Sequence, residues 1–306
     1  MDRRSYLKST SAAMAALALA GCTSGGDGGS EGDGGSEATG TTESGGEMTG
    51  TTESGTETSG DGGSSMPNKV VIGSDIPYRP FEFETAAGEL KGFDVEIARA
   101  VFDEELGITS EFKKTSFDTI IPSLKQGNFR VIMSAMTINE ERAKEVDFSE
   151  PYFTAYQTVI VRTDSDIQSK DGLKGTTVGV QKGTTGLAAA EGLKEEFGGD
   201  LELKEYDQIT GAFDALTNGQ VDAVINDNTV NAEFVNNQDG ARFLEGEGAA
   251  AEQGEDAPPY LTLTVENYGI AFRQDDDEFR EQVNEALAAI RESGTYDDIY
   301  GNYFSG

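Results

Sequence analysis

The sequence predicts an α/β protein in which mostly parallel sheets are flanked by helices. Short apolar strands alternate with amphipathic helices from residue 70 onward, and this alternation is typical of strand–helix–strand units. The segments LKQGNFRVIMS (124–134) and LTNGQVDAVIN (216–226) share a leucine, a glycine and a three-residue apolar run at the same offsets. This weak internal repeat predicts two lobes that are built from similar helix–glycine–strand units.

Glycines mark the ends of the predicted helices in the first half of the chain. An apolar strand at 70–72 precedes a helix over 94–106, whose apolar residues lie at helical spacing and which ends at Gly107. A second helix over 120–124 ends before Gly127, and an apolar strand follows it. The first predicted lobe therefore begins as strand, helix, helix and strand.

Small, hydroxyl and cationic residues follow the strand predicted at 131–133. The first of them are Ser134, Ala135 and Thr137. A helix is expected to begin at Asn139, which places Arg142 in its first turn, where a cation is unfavourable by a few tenths to about 1 kcal/mol. Arg142 is therefore expected to have an anionic partner. That partner is either a bound carboxylate, which a guanidinium holds at two points, or a surface glutamate at 141, 145 or 150.

The second half of the chain repeats the pattern of strands that end in polar residues. A strand at 178–180 leads to Gly183-Thr184-Thr185 and a helix over 185–193, and a strand at 223–225 leads to Asp227. The last long helix buries its apolar residues at helical spacing and ends at Gly294.

Acidic residues dominate the composition. The chain has 56 acidic and 23 basic residues, no histidine and a formal net charge of −33. Residues 1–22 hold three bases and one acid and residues 23–67 hold nine acids, so 68–306 retains 46 acids, 20 bases and a net charge near −26. So negative a surface excludes nucleic acid as a partner. The charge resembles that of proteins from extremely halophilic archaea and is interpreted as an adaptation to salt, which screens repulsion over ~3 Å at 1 M.

The first 22 residues are typical of an export signal. Arg3-Arg4 precedes an apolar run over 12–20 that is too short to span a bilayer, and the arginine pair resembles a twin-arginine signal. Leu19-Ala20-Gly21-Cys22 resembles a lipobox, in which Cys22 would carry the lipid; the alternative is an ordinary thiol in a cleaved peptide. Because Cys22 is the only cysteine, no disulfide can form within the chain.

Residues 23–67 consist mainly of glycine, serine, threonine and glutamate. The segment TGTTESG occurs twice, at 39–45 and 49–55, but it contains no apolar face that a repeat could bury. These residues are predicted to form a disordered acidic tether with a span of roughly 35–40 Å.

The segment 117–152, FDTIIPSLKQGNFRVIMSAMTINEERAKEVDFSEPY, resembles the amino-acid-binding proteins of ABC importers (solute-binding protein family 3, type II periplasmic binding proteins). Further similar segments occur in the family's order: GSDIPYRPFEF (73–83), GFDVEIARAV (92–101), VGVQKGTTG (178–186), VDAVINDN (221–228), YGIAFR (268–273) and LAAIRESGTYDDIYGNYF (287–304). The resemblance extends over about residues 68–306.

The resemblance implies a two-lobe fold and a transport function. Lobe one would comprise 68–154 and 267–306, and lobe two 157–264. The strands Tyr156–Val161 and Tyr268–Phe272 would cross between the lobes and act as the hinge. A monomer held by lipid at the extracellular face would bind a free amino acid and deliver it to an ABC permease, without a metal or cofactor.

The resemblance also implies a role for each site residue. Arg142, Thr137 and backbone N–H groups near Ala135 and Thr185 would hold the ligand carboxylate. Asp227 would bind the ammonium group. Tyr78 and Phe117 would enclose the aliphatic part, and Asp75 would meet the polar end of the ligand. Ser134 and Thr184 complete the predicted set.

Several of these residues have simpler interpretations. Thr184 and Thr185 are also expected where a helix is capped, Asp227 where a turn or helix begins, and Phe117 where a helix faces the core. Asp75, Gln181 and Asn226 favour a polar or basic ligand without naming it.

Enzymatic alternatives remain open only for carboxylate chemistry. The lack of histidine, and of cysteine beyond Cys22, excludes Ser-His-Asp, Cys-His and histidine-ligated metal sites. A same-fold dehydratase of the cyclohexadienyl (arogenate) type would need Asp75 or Glu82 as its general acid, and a cell-wall lyase is a further possibility. A receptor-kinase sensor domain is disfavoured because no membrane-spanning segment follows Gly306.

Overall fold

The computed structural model describes residues 66–253 and 257–304, which belong to one compact unit. The predicted signal peptide, Cys22 and all but the end of the predicted tether lie outside the described residues. The strands are β1 (Lys69–Ser74), β2 (Phe83–Glu84), β3 (Leu90–Lys91), β4 (Thr109–Lys114), β5 (Val131–Ile132), β6 (Asp147–Phe148), β7 (Phe153–Arg162), β8 (Thr177–Gln181), β9 (Glu202–Tyr206), β10 (Ala223–Asp227), β11 (Ala241–Phe243), β12 (Thr262–Tyr268) and β13 (Ala271–Phe272).

The first sheet has the strand order β4-β1-β5-β13-β6. β1 runs parallel to both neighbours and pairs Ile72 with Phe112 on β4 and with Val131 on β5, whereas β13 is antiparallel to β5. Because the carboxyl ends of parallel strands meet at one edge, the residues that follow β1 and β5 come together there. This sheet and its helices form the first lobe, and β2 and β3 form a separate small ribbon.

The second sheet has the strand order β11-β7-β10-β8-β9, with β12 also paired to β7. β10, β8 and β9 are parallel to one another, and β7 runs antiparallel to β10. The carboxyl ends of β8 and β10 therefore lie at the same edge. This sheet and its helices form the second lobe, so the two-lobe α/β architecture is as the sequence predicts.

The helices are α1 (Phe93–Ala98), α2 (Ile120–Lys125), α3 (Thr185–Glu196), α4 (Ile209–Thr217), α5 (Asn228–Asn237), α6 (Asp277–Ser293) and α7 (Thr295–Phe304). α6 illustrates how the sequence specifies them: Phe279, Val283, Leu287 and Ile290 recur at helical spacing and are buried. Gly294 ends this helix with a φ of 86°, a left-handed conformation that glycine adopts at little cost.

An antiparallel ribbon of β7 and β12 joins the two lobes. It pairs Phe153 with Tyr268 and Ala155 with Glu266. Phe81 of the first lobe packs on this end of the ribbon, with ring centroids 5.1 Å from Phe153 and 5.3 Å from Tyr268. The start of the ribbon is thus fixed to the first lobe, while β7 continues into the second sheet.

The second crossing strand lies earlier than predicted. The sequence placed it at Tyr268–Phe272, but residues 271–272 belong to the first sheet and the crossing strand is β12. Four of the seven residues of β12 are half-buried or exposed, and its sequence, TLTVENY, has no continuous apolar run. The apolar YGIAFR segment beside it therefore gave the stronger strand signal.

Two predicted helices differ from the structure. The helix expected over 94–106 is α1 followed by a π-helix, Arg99–Glu105, before the turn at Gly107. The helix expected from Asn139 is wrong: only a short 3₁₀ turn, Arg142–Lys144, forms there. The Asn139 side-chain oxygen accepts the Arg142 N–H at 2.8 Å, and the chain enters β6 within a few residues.

No helix within residues 66–253 and 257–304 combines the length and the apolar character needed to cross a membrane.

Candidate functional site

A cavity of about 20 Å³ lies between the lobes, at the strand ends of both sheets. A space of this size holds about one water molecule. All ten residues that the sequence predicts as ligand contacts line it: Asp75, Tyr78, Phe117, Ser134, Ala135, Thr137, Arg142, Thr184, Thr185 and Asp227. Gln157, Gln181 and Asn226 complete the lining. The fold therefore brings the predicted residues of both lobes to one place.

Ser134 links the two strand ends of the first lobe. Its hydroxyl accepts the Asp75 N–H at 2.9 Å and donates to Glu82 Oε1 at 2.8 Å. A hydroxyl has one hydrogen and two lone pairs, so one lone pair of Ser134 remains for a ligand donor. Glu82, which lies behind the cavity, therefore fixes the orientation of the Ser134 hydroxyl.

The sequence predicts that backbone N–H groups near Ala135 hold the ligand carboxylate, but the N–H of Ala135 itself already has a partner. Ala135 has a φ of 46°, and its N–H donates to Asp94 Oδ2 at 2.8 Å instead of pointing to a ligand carboxylate. Sequence reasoning could not find this contact, because Asp94 lies 41 residues earlier in the chain. The Thr137 N–H has no acceptor among the described residues, and it is the available donor on this strand end.

Arg142 is a buried cation at one end of the cavity. It is 8% exposed, and its guanidinium donates to the Thr137 carbonyl at 2.8 Å and the Gly183 carbonyl at 3.2 Å. It forms no ion pair with a carboxylate of the described residues. Burial lowers the pKa of Arg142 below its usual value, although nearby Glu266 and Asp227 act in the opposite direction. The group stays charged.

The surface-glutamate alternative for Arg142 therefore does not hold. Glu141, Glu145 and Glu150 are exposed, and Glu145 pairs with Lys125 at 3.0 Å. A buried guanidinium whose only partners are carbonyl oxygens and an aromatic ring has unused capacity for an anion. The ring is that of Phe117, whose centroid lies 5.2 Å from the guanidinium carbon. Phe117 is half-buried: it lines the cavity and also packs against the buried cluster that contains Ile120 and Leu124, so it combines both interpretations.

Thr184 and Thr185 of the second lobe have different roles. The Thr184 hydroxyl caps α3: it accepts the Leu187 N–H at 3.2 Å and donates to the Gln181 carbonyl at 2.8 Å. Thr185 is the first residue of α3, so its N–H is one of the four that a helix start leaves without an intrahelical partner. The capping interpretation is thus correct for Thr184, while Thr185 presents a donor near Arg142.

Asp227 is the last residue of β10 and directly precedes α5, but its side chain does not cap that helix. Its carboxylate instead accepts the Gln157 side-chain N–H at 2.6 Å and the hydroxyl of Tyr78 from the other lobe. Burial raises the pKa of Asp227 to about 7, although the hydrogen bond from Tyr78 and the charge of Arg142 lower it. The carboxyl is therefore poised to ionise when a cationic group arrives.

Asp75 is bound by two glutamines of the opposite lobe. Gln181 donates to Asp75 Oδ2 at 2.5 Å, and Gln208 donates to Oδ1 at 3.4 Å and to the Ile76 carbonyl at 3.2 Å. Burial raises the pKa of Asp75, and the hydrogen bonds from both glutamines oppose that rise. This end of the cavity therefore offers a carboxylate and an amide to a polar group of a ligand.

Gln157 is the lining residue that sequence reasoning missed. It lies inside β7, pairs with Asp227 across the sheet and also donates to the Thr185 hydroxyl at 3.2 Å. The available signal was a glutamine within the largely apolar strand sequence YQTVIV. An amide that is buried in a strand needs polar partners, which indicates a polar site nearby.

Comparisons with known proteins agree with this architecture. The family model for bacterial extracellular solute-binding proteins, family 3, matches residues 70–191 and 188–306. The chain is 33% identical over 245 residues to the probable histidine-binding protein of Neisseria gonorrhoeae, covering 79% of this chain and 85% of that protein.

Solved structures give the same result. An ancestral arginine-binding protein bound to arginine is 37% identical, with a TM-score of 0.69, covering 78% of this chain and 100% of the other. An ancestral amino-acid-binding protein, a precursor of cyclohexadienyl dehydratase, is 34% identical with a TM-score of 0.66, covering 78% of this chain and 96% of the other. The chain described here therefore belongs to the bacterial extracellular solute-binding proteins, family 3.

Proposed function

We propose that this protein is the substrate-binding component of an ABC importer for amino acids with polar or basic side chains. One observation carries the proposal: a buried guanidinium without an ion pair, that of Arg142, shares a small cavity with the buried carboxylates of Asp227 and Asp75. A free amino acid presents a carboxylate, an ammonium group and a side chain, and this cavity offers a complementary group for each.

The ligand orientation follows from the available donors and acceptors. The carboxylate binds Arg142 and the N–H groups of Thr137 and Thr185, which are without partners in the site. The ammonium group binds Asp227, where a positive charge relieves the cost of a buried carboxylate. Asp75, with Gln181 and the free lone pair of Ser134, receives the polar end of the side chain.

Aromatic side chains enclose the middle of the ligand. Tyr78 and Phe117 both line the cavity, and the Tyr78 ring is held by its hydroxyl, which donates to Asp227 and lies 3.0 Å from Asn226 Oδ1. In this arrangement the two rings contact the aliphatic part of the amino acid, and this apolar contact favours binding whichever polar group the side chain carries.

The proposed lobe limits are those that the resemblance implies, 68–154 with 267–306 for the first lobe and 157–264 for the second.

The cellular setting is part of the proposal. The signal at 1–22 exports the protein, lipid at Cys22 anchors it to the extracellular face of the membrane, and the tether at 23–67 lets a monomeric domain reach the permease.

Two substitutions test this cellular setting. Changing Arg3-Arg4 to Lys-Lys should leave precursor inside the cell, and Cys22→Ser should release mature protein from membranes. A wild-type protein without lipid in mass spectrometry contradicts the anchor.

A thermal-shift panel of the twenty amino acids tests the binding function. It is best run in molar salt, because the acidic surface of an adapted halophilic protein repels itself in dilute buffer. A ligand at about 1,000 times its dissociation constant adds ~4 kcal/mol to the free energy of unfolding, so the melting temperature should rise by an easily measured amount. A panel in which no amino acid raises the melting temperature overturns the proposal.

The dehydratase alternative has weaker support. Similarity to the precursor of cyclohexadienyl dehydratase keeps it in view, and of the two candidate general acids Asp75 lines the cavity, whereas Glu82 is fully buried behind it. The relatives with curated names are binding proteins, such as the probable histidine-binding protein of Neisseria gonorrhoeae, which favours the importer function. Turnover of a prephenate-like substrate by the purified protein would favour this alternative over the importer function.

A further inference from the structure

Two buried carboxyl groups, Glu82 and Asp94, lie behind the cavity and have no role in the ligand contacts described above. Both are 0% exposed. Glu82 closes a tight turn with Tyr78, in which the two residues exchange backbone hydrogen bonds of 2.7 and 3.0 Å, and Asp94 is the second residue of α1. Neither forms an ion pair with a lysine or arginine in the part of the chain that the structure describes. Two neighbouring buried acids without a cation do not both ionise.

The hydrogen bonds distinguish the two acids. Asp94 accepts the Ala135 N–H at 2.8 Å and the Tyr152 hydroxyl at 2.9 Å, whereas Glu82 accepts the Ser134 hydroxyl at Oε1 and is influenced more weakly by the hydroxyl of Ser74, which lowers its pKa. Glu82 Oε2 is buried without a partner among the described residues. Donors stabilise an ionised carboxylate, so Asp94 is the ionised member and Glu82 holds the proton.

The electrostatic environment agrees with this assignment. Burial and then the charge of Asp94 raise the pKa of Glu82 well above its usual value. Burial also raises the pKa of Asp94, to about 6, although its two donors oppose that rise. The other titratable groups that act on Glu82 are Asp75, which is acidic, and Tyr78 and Tyr152, which are neutral.

One hydroxyl connects this pair to the cavity. Ser134 donates to Glu82 and accepts the backbone N–H of Asp75, and both Ser134 and Asp75 line the cavity. Lys114 acts on Asp75 from a distance, but no cation contacts Asp75 in the described residues. Ser134 bridges the two residues, and the charge of Asp75 acts on Glu82, so a positive charge that binds at Asp75 acts on Glu82 as well.

We propose that a cationic ligand side chain, on binding at Asp75, displaces the proton that Glu82 holds. The inference rests on the proposed amino-acid-binding function. The Glu82 O–H bond breaks, the proton leaves to solvent, and the positive charge of the ligand replaces it, so the net charge of the site does not change. A neutral side chain brings no charge, and Glu82 stays protonated. Glu82 is thus a positioning residue that makes the preference for cationic over neutral side chains depend on pH.

Isothermal titration calorimetry with L-arginine and L-citrulline tests this proposal. These ligands have the same ammonium and carboxylate groups but differ in side-chain charge, so any proton released from Asp227 is common to both. Mature protein in molar salt at neutral pH is titrated in phosphate and in Tris, whose different ionisation enthalpies reveal the number of protons released. Binding of arginine should release up to about one proton more from the protein than binding of citrulline does. Glu82→Gln, which keeps the shape of the side chain, should abolish the difference.

The outcomes separate this inference from the function on which it rests. Equal proton release by the two ligands overturns the inference, and so does a difference that persists in Glu82→Gln, because the proton would then come from Asp75. Binding of neutral amino acids but of no cationic one also overturns it and leaves the proposed function intact. Binding of no amino acid overturns both. If Glu82→Gln does not fold, Asp94→Asn serves instead, because removing the neighbouring charge should let Glu82 ionise before ligand arrives and reduce the difference.

Discussion

Three charged side chains determine the chemistry of the cavity, and none forms an ion pair with another of residues 66–253 and 257–304. Arg142, Asp227 and Asp75 are 8%, 5% and 4% exposed, and their hydrogen-bond partners are carbonyls, amides and a phenol. A buried charge is costly unless it is paired, and neutral partners compensate only part of that cost. Each of the three therefore favours a ligand group of opposite sign, which is a physical reason for zwitterion binding.

Replacing Arg142 by lysine should remove most amino-acid affinity. A lysine carries the charge but cannot reproduce the forked contacts of a guanidinium to a carboxylate. Losing one partner of a buried ion pair costs about 3–5 kcal/mol, which corresponds to roughly two to three decades or more in the dissociation constant. Calorimetry with the best amino acid of the panel measures the loss.

Arg79→Lys is the matched control for this substitution. Arg79 is exposed and stacks on Phe83, 3.6 Å from the ring centroid, outside the cavity lining. Its replacement should leave affinity unchanged. If Arg142→Lys binds within about threefold of the parent, a change worth less than ~1 kcal/mol, Arg142 does not hold the ligand.

Affinity for an amino acid with a neutral side chain should fall as the pH drops below about 7. The pKa of Asp227 in the free protein is raised to about 7, and the ligand ammonium stabilises the ionised carboxylate, so its pKa is lower in the complex. Below the free-protein pKa a proton must leave before the ligand binds, and affinity falls up to about tenfold per pH unit. Asp227→Asn should bind weakly with no such pH dependence; a wild-type profile that is flat between pH 5 and 8 would refute the assignment.

At the scale of elements, strand ends made the site predictable. Asp75 follows β1, Thr137 lies just beyond β5, and Asp227 ends β10, so the rule that parallel strands gather ligand groups at their carboxyl ends places them together. Arg142 was predicted from a helix that does not form. The prediction still leads to the cleft, because the 3₁₀ turn that replaces the helix directs the Arg142 side chain there. Proximity to a strand end mattered more than the type of helix.

The remaining site features depend on long-range contacts that local patterns do not encode. Gln157 lies within β7, where alternation suggests only a sheet residue, and the Ala135 N–H is taken by Asp94 from another element. The position of β12 was missed because half-exposed strands lack an apolar run. Hydrogen bonds between distant residues decide these points, so only the folded chain reveals them.

Thr184→Ala should reduce stability without reducing ligand affinity. The Thr184 hydroxyl caps α3 and has its hydrogen bonded to the Gln181 carbonyl, and loss of such a cap costs about 1 kcal/mol. Chemical denaturation in molar salt measures the free energy of unfolding, and calorimetry measures affinity. Thr184→Ser, which keeps the hydroxyl, is the control and should resemble the parent. A large loss of affinity in Thr184→Ala at unchanged stability would make Thr184 a ligand contact after all.

At the scale of the whole molecule, the acidic surface and the cleft operate separately. The excess of acids is spread over the chain, whereas the charged residues that line the cavity are one cation and two carboxylates. Salt screens exposed charges within a few ångströms but affects buried pairs much less. Molar salt can therefore stabilise the fold without abolishing recognition of a charged ligand.

The cleft is closed by direct contacts between the lobes. Tyr78 and Asp75 of the first lobe bind Asp227 and Gln181 of the second, and the enclosed space of about 20 Å³ is too small for an amino acid. A ligand must therefore enter through an opening of the lobes about the β7–β12 ribbon and then replace these contacts with its own. A ligand that contacts both lobes, as the proposed orientation requires, should bind the closed form better and shift the population toward it.

Small-angle scattering in molar salt should consequently give a smaller radius of gyration when the cognate amino acid is added. The decrease should track saturation measured by calorimetry, since closure and binding are linked. Asp227→Ala should require much more ligand for the same decrease, because the ligand ammonium would be buried without a counter-charge. Tight binding with no change in the radius of gyration would mean that a single lobe holds the ligand. In that case closure could not signal a loaded state to a permease, and the importer mechanism would have to be abandoned.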